Sequence, residues 1–291
     1  MKQIVIISGK GGTGKTSLTA CLAALSKKER SSPAVVVDCD VEAPNLHLLL
    51  GGSVIKTQPF SGPKLAVIDF SRVADSERCA ASCKFGAISG REVDPLKCVG
   101  CGVCRLVCGP EAVKMADREA GIIIEKETPY GQLFTSELQP GQPGFGGLIT
   151  ALRSKGEAVA GAGPESLIIL DGSPGLGCRV VASLNGCDLA VVVTEPGKGA
   201  QRDLERLLRL LRSFNILTVV VINRFDLDLN LTREVERFCR ENNLMIAGKI
   251  PYHDVFMEAV LAGRPAVEME DEPINSLMGD IYTVITRSLF G

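Results

Sequence analysis

Short apolar runs recur along the chain, each ended by polar or glycine-rich residues. Ile4-Val-Ile-Ile7, Ala34-Val-Val-Val37, Ser166-Leu-Ile-Ile-Leu170, Leu189-Ala-Val-Val-Val193 and Leu217-Thr-Val-Val-Val-Ile222 show no polar alternation. Strands buried on both faces read this way, as in a parallel sheet covered by helices. Residues 17–25 follow the first run as a helix, and residues 274–290 form a last helix with one apolar face. Ile250-Pro-Tyr252 reads as a short strand end. Alternation of strand and helix over 1–50, and again from about 145 to 291, predicts a doubly wound, mostly parallel α/β domain. The pattern fails in between. Gly51-Gly52, residues 58–63 and residues 139–147 have loop compositions around the interruption. The expected organisation is residues 1–58 and 129–291 for the α/β domain, with an insert over 59–128.

Composition narrows the function. A net charge of −2 and no tryptophan argue against nucleic-acid binding. No stretch has about 18 uninterrupted apolar residues, so no membrane-spanning helix is expected. Residue 1 leads straight into Lys2-Gln-Ile-Val-Ile-Ile-Ser8, without the look of a secretory leader. A cytoplasmic, reducing setting follows, in which eleven cysteines are better used for metal than for disulfides.

The first apolar run is followed by Gly9-Lys10-Gly11-Gly12-Thr13-Gly14-Lys15-Thr16, then Ser17. This is the phosphate-binding loop G-x-x-x-x-G-K-[ST] in its proper place between strand and helix. Glycines let backbone amides wrap phosphates, Lys15 reaches the outer phosphates, and the Thr16 hydroxyl enters the shell of Mg²⁺. Positive helix ends favour such anions.

Within the insert, Cys98-Val-Gly-Cys101-Gly-Val-Cys104-Arg-Leu-Val-Cys108 has the complete C-x₂-C-x₂-C-x₃-C spacing of bacterial ferredoxins. Cys79-Ala-Ala-Ser-Cys83 matches only the second half of such a run. In two-cluster ferredoxins the fourth cysteine of each run ligates the other cluster. Cys83, Cys98, Cys101 and Cys104 therefore make one full set for a [4Fe–4S] cluster. Cys79 and Cys108 are left on a degraded second site, whose missing ligands fall at Val73 and Ser76. Zinc is the competing reading, but zinc ribbons use two separated cysteine pairs. Cys21 and Cys239 read as buried helix residues, and Cys178, just past Asp171-Gly-Ser-Pro-Gly175, reads as core ahead of a ligand role. His47 and His253 read as surface or packing residues.

Lys10, at the start of the loop, makes the whole pattern resemble the deviant phosphate loop of the MinD/ParA superfamily, and in particular its members with an inserted ferredoxin domain. Asp38-Cys39-Asp40-Val-Glu-Ala-Pro-Asn45 and Asp171-Gly-Ser-Pro-Gly175 resemble the family's two switches. The resemblance implies a Mg-dependent ATPase that forms a homodimer on ATP. Lys10 then contacts ATP across the dimer, Asp40 positions the attacking water, and Asp38 and Asp171 support the magnesium shell. Asn223 and Arg224 read adenine, with Pro251 beside the base. It also implies a redox or iron–sulfur partner, with electron transfer ahead of a regulatory or positioning role and of cluster assembly. The carrier branch has a C-x₂-C near its end, and here only Cys239 follows Cys187. Membrane-bound relatives carry a basic amphipathic tail, whereas residues 274–290 hold a single basic residue, Arg287.

Overall fold

A computed structural model describes residues 1–141, 145–163 and 165–291. Two compact units emerge, one of residues 1–57, 124–136 and 149–291, the other of residues 58–123 and 137–148. The expected insert boundary at 128 differs from this division. The strand hairpin after residue 119 continues into the parallel sheet, which draws 124–136 into the larger unit.

The larger unit starts with β1 (Lys2–Ile7), α1 (Lys15–Glu29), β2 (Val35–Asp38), α2 (Leu46–Leu50) and the first part of β3 (Ser53–Ser61), whose residues 58–61 belong to the smaller unit. Strand β3 takes in residues expected to form a loop. It is an edge strand, where Pro59 costs no ladder hydrogen bond on its open side. The smaller unit supplies β4 (Leu65–Ile68), α3 (Ser76–Ala81), β5 (Ile88–Ser89), β6 (Glu92–Val93), α4 (Val103–Cys108) and β7 (Val113–Ala116). Strands β4 and β7 pair antiparallel, as do β5 and β6. This is strand–helix–strand twice over, with the outer strands paired and the inner strands paired. Its small core is built from Ala66, Cys79, Ala87, Ile88, Cys98, Cys104, Ala112 and Val113.

The chain then forms β8 (Glu119–Thr128), β9 (Gly131–Leu138), α5 (Phe145–Ala160), β10 (Leu167–Asp171), α6 (Cys178–Leu184), β11 (Leu189–Thr194), α7 (Ala200–Ser213), β12 (Leu217–Asn223), α8 (Leu229–Glu241), β13 (Met245–Ile250), α9 (Val255–Ala262) and α10 (Glu272–Phe290). Of the loop expected over 139–147, residues 145–147 open α5, and 142–144 lie outside the described residues. Among the described residues, the sheet order is β13-β12-β11-β1-β10-β2-β9-β8-β3. Pairing is parallel from β13 through to β9. The five apolar runs occupy its centre, buried on both sides as their unalternating pattern requires. Ligands of such sheets bind beyond the carboxyl ends of the strands, and β1, β2, β10, β11 and β12 all end near one loop.

Candidate functional site

That loop is residues 8–14, between β1 and α1. Gly14 caps α1 with φ +91°, in the left-handed region. A side chain there would be strained, and its Cβ would stand 2.4 Å from the Asn223 amide nitrogen. Asn223 Nδ2 uses the space to donate to the Thr13 carbonyl at 2.8 Å. Lys15 is buried at the first turn of α1. The Thr13 hydroxyl is also buried and has no partner among the described residues. An orphaned donor inside a glycine-rich cradle fits a phosphate oxygen as its acceptor. The adjoining cleft is lined by Gly11, Gly12, Lys15, Thr16, Ser17 and Asp40, together with Glu42, Asn45, Pro174 and Arg224. Pro251 lies outside that lining, at the end of β13.

Below the loop, Asp38 and Asp171 are neighbours in register at the ends of β2 and β10, and both are buried. Thr16 Oγ1 donates to Asp171 Oδ2 at 2.7 Å, and the Thr19 hydroxyl lies 3.0 Å from Asp171 Oδ1. Asp38 accepts from the backbone N–H groups of Asp40 (3.1 Å) and Leu46 (3.3 Å). Burial holds the Asp38 carboxyl well above the usual carboxylate range, and the charge of Asp171 adds to the rise. Asp171 is pushed up to about 6, again by burial first, against the pull of the Lys15 ammonium and the two threonine hydroxyls. Burial raises Asp40 as well, opposed by Lys15 and Arg179. Two adjacent buried carboxyls, Asp38 and Asp171, with the Thr16 hydroxyl on Asp171 and Asp40 also raised, form a hard oxygen donor set. Magnesium fits such a set.

This geometry sets a pH dependence. Between the ordinary carboxylate range and about 6 the folded protein holds a proton on Asp171 that the unfolded chain has lost. The contribution of Asp171 to stability therefore falls as pH rises through that window and is constant above it. Asp171→Asn removes this contribution. Its melting temperature should gain on wild type as pH goes from about 4 to about 7, at about 2–4 °C per kcal/mol. Paired thermal melts of nucleotide-free protein check this, and parallel curves would refute it.

Glu195 follows β11 and joins two expected site residues. Its Oε1 pairs with Lys10 Nζ at 2.5 Å, and its Oε2 with Arg224 Nη1 at 3.1 Å. Arg224 holds φ +51°, left-handed for a bulky residue, and lies 3.4 Å from the Gly12 carbonyl. The acid escaped sequence reading, although the end of a parallel strand is where ligand-facing groups collect. Thr19 was missed too. Its place three residues after Thr16 puts both hydroxyls on one helix face.

In the smaller unit, Cys83, Cys98, Cys101 and Cys104 line one cavity, otherwise walled mainly by apolar side chains such as Ala66, Phe85, Ile88, Val93 and Met115. Gly100 holds φ +71°, and a Cβ there would meet the Lys64 carbonyl at 2.4 Å, so this loop needs glycine. The Cys83 sulfur accepts from the Ala87 N–H at 3.3 Å. Among the described residues, no three His, Cys, Asp or Glu groups are placed to hold a metal ion. A cubane cluster takes one thiolate per iron, so its ligands spread around a cavity rather than converge on one point. The four-thiol lining fits that donor set.

Two cysteine expectations are corrected. Cys79 and Cys108 form a disulfide, although clustered cysteines were expected to stay reduced. The packing of α3 against α4 brings their Cα atoms to 5.3 Å, within bridging reach. Cys178 is exposed at the start of α6 rather than in the core. Cys21 and Cys239 are buried, and burial pushes both thiols up to about 11. His253 is exposed, with Nε2 3.5 Å from Asp271. Tyr252 is exposed, its N–H donating to Asp226.

The model of the CobQ/CobB/MinD/ParA nucleotide-binding domain matches residues 4–266. The chain belongs to this family. It is a nucleotide-binding protein with the phosphate cradle of a P-loop ATPase. An uncharacterised protein of Methanocaldococcus jannaschii is 34% identical over 76% of this chain and 78% of its own length. An iron–sulfur cluster carrier protein of the same organism is 44% identical, over only 21% of this chain and 20% of its own. Among solved structures, the septum site-determining protein MinD of Pyrococcus horikoshii, complexed with Mg-ADP, superposes with a TM-score of 0.61 at 19% identity. That alignment covers 99% of this chain and 97% of the other, and it establishes the shared fold. No helix among the described residues is long and apolar enough to cross a membrane.

Proposed function

We propose that this ATPase is a dimeric switch whose nucleotide state is coupled to one [4Fe–4S] cluster, in cytoplasmic electron transfer to a redox protein. The observation carrying the proposal is the four-thiol cavity in a unit belonging to the same chain as a complete phosphate cradle. The repeated strand–helix–strand order of the smaller unit supports its reading as a ferredoxin module.

Each residue then has a role. The loop amides and Lys15 bind the ATP phosphates, and Thr16, Asp38 and Asp171 hold magnesium, which supplies charge neutralisation when bound. Asp40, at the cleft wall, orients the attacking water. Lys10 leaves Glu195 and reaches ATP in the partner subunit. Asn223 fixes the loop through Thr13, while Arg224 and Pro251 border the base. A closed dimer changes the surface that the cluster-bearing unit offers its redox partner.

Asp40→Ala tests the switch. Without the water-positioning carboxylate, ATP binds but is cleaved slowly, so the closed state accumulates. Light scattering with Mg-ATP should show a lasting dimer. In that dimer, oxidation of the reduced cluster by a soluble dye should proceed at a changed rate. A monomer at saturating ATP would sink the dimer reading, and equal oxidation rates would sink the coupling.

Cluster assembly is the second reading, favoured by the partial match to the iron–sulfur carrier. Against it stands the lack of a paired cysteine motif toward the end of the chain, where only Cys239 follows Cys187.

A further inference from the structure

Arg118 lies just ahead of β8 and is 8% exposed. Its guanidinium reaches back 23 residues. Nη1 donates to the Pro95 carbonyl at 2.6 Å, and Nη2 donates to the Cys98 carbonyl at 3.2 Å. Among the described residues, its buried Nε has no partner. Asp117, next to it in sequence, pairs with Lys64, and Asp94, next to Pro95, pairs with Lys97. Among the described residues Arg118 has no carboxylate within ion-pair distance.

A buried guanidinium served only by carbonyls is costly unless a negative charge compensates it. This one is fixed on the backbone of the first cysteine of the ligand run. A [4Fe–4S] core held by four thiolates is negative in both of its redox states. We infer that Arg118 is the positioning and potential-setting residue of the cluster site. It pins the segment from Pro95 to Cys98 and supplies the buried countercharge to the thiolate set.

The inference rests on the cluster reading above and adds a sign to it. One-electron reduction, with the electron supplied by an external donor, makes the cluster more negative. A nearby fixed cation favours the reduced form and raises the potential. Net charge and exposure are among the main determinants of such potentials. Without the cluster the same cation is uncompensated, so the metal-free protein gains little from it. A plain strut for the 95–98 segment behaves otherwise: removing it weakens the metal-free protein and leaves the potential alone.

Three full-length proteins separate these cases: wild type, Arg118→Lys and Arg118→Met. Each is reconstituted anaerobically, assayed for iron, titrated against dithionite with the reduced cluster read by electron paramagnetic resonance, and melted in its metal-free form. Arg118→Lys, which keeps the charge, should hold as much iron as wild type at nearly the same potential. Arg118→Met should shift the reduction equilibrium about tenfold toward the oxidised form, a fall of about 59 mV for one electron. Its metal-free melting temperature should not drop. Equal potentials in wild type and Arg118→Met overturn the inference, as does an Arg118→Lys shift as large as that of Arg118→Met. If Arg118→Met holds no iron, Arg118→Lys decides: full iron at the wild-type potential supports the role, and lost iron overturns it. Wild-type protein without iron would instead overturn the cluster reading beneath, a separate and visible result.

Discussion

Lys15→Ala should lower ATP hydrolysis by about 10²–10³-fold, the scale for removing one preorganised group from developing charge. Nucleotide binding should fall with it. Lys15 is buried at the first turn of α1 beside the phosphate cradle. It is also the cation that moderates the raised pKa of Asp171 and of Asp40. On the roles proposed above, its loss removes the phosphate contact and leaves those acids still harder to ionise, so magnesium binding should weaken too. Fluorescent-nucleotide titration and phosphate release measure the two effects, and circular dichroism establishes that the variant folds. A folded variant with wild-type turnover would mean that hydrolysis happens elsewhere.

The phosphate cradle was legible because its chemistry is local. Gly9 to Ser17 is one stretch of chain between a buried strand and a helix, and spacing alone fixes which amides turn inward. The paired acids were legible for a similar reason, since each ends an apolar run and parallel register sets Asp38 beside Asp171. Contacts across long sequence separations left no trace of this kind. Glu195 meets Lys10 only because β11 and β1 are neighbours, an ordering that no single run encodes. Arg118 is one charged residue in a mixed stretch, and its hold on the Cys98 backbone depends on how the smaller unit closes. Strand β3 was hidden by Pro59, which argues against a central strand and is neutral on an edge.

Iron content of the cysteine variants should split along the ligand assignment. Anaerobically prepared wild type should hold about four irons per chain. Cys83→Ser should lose the cluster as fully as Cys98→Ser, Cys101→Ser or Cys104→Ser, although Cys83 comes from the other cysteine segment. The reason is spatial: Cys83 lines the same cavity as the other three and already accepts a backbone N–H. Cys79→Ser and Cys108→Ser should keep about four irons, because these two thiols are joined to each other. Val73, at one of the missing ligand positions, packs against the small apolar core of that unit. What these two variants should lose is stability under oxidising conditions. A bridge spanning 29 residues contributes about 2–4 kcal/mol, and a reductant should erase the difference from wild type. The competing assignment gives Cys79 and Cys108 a second cluster, completed by another chain. Near eight irons per chain, or iron lost in Cys108→Ser and kept in Cys83→Ser, would establish that assignment in place of this one.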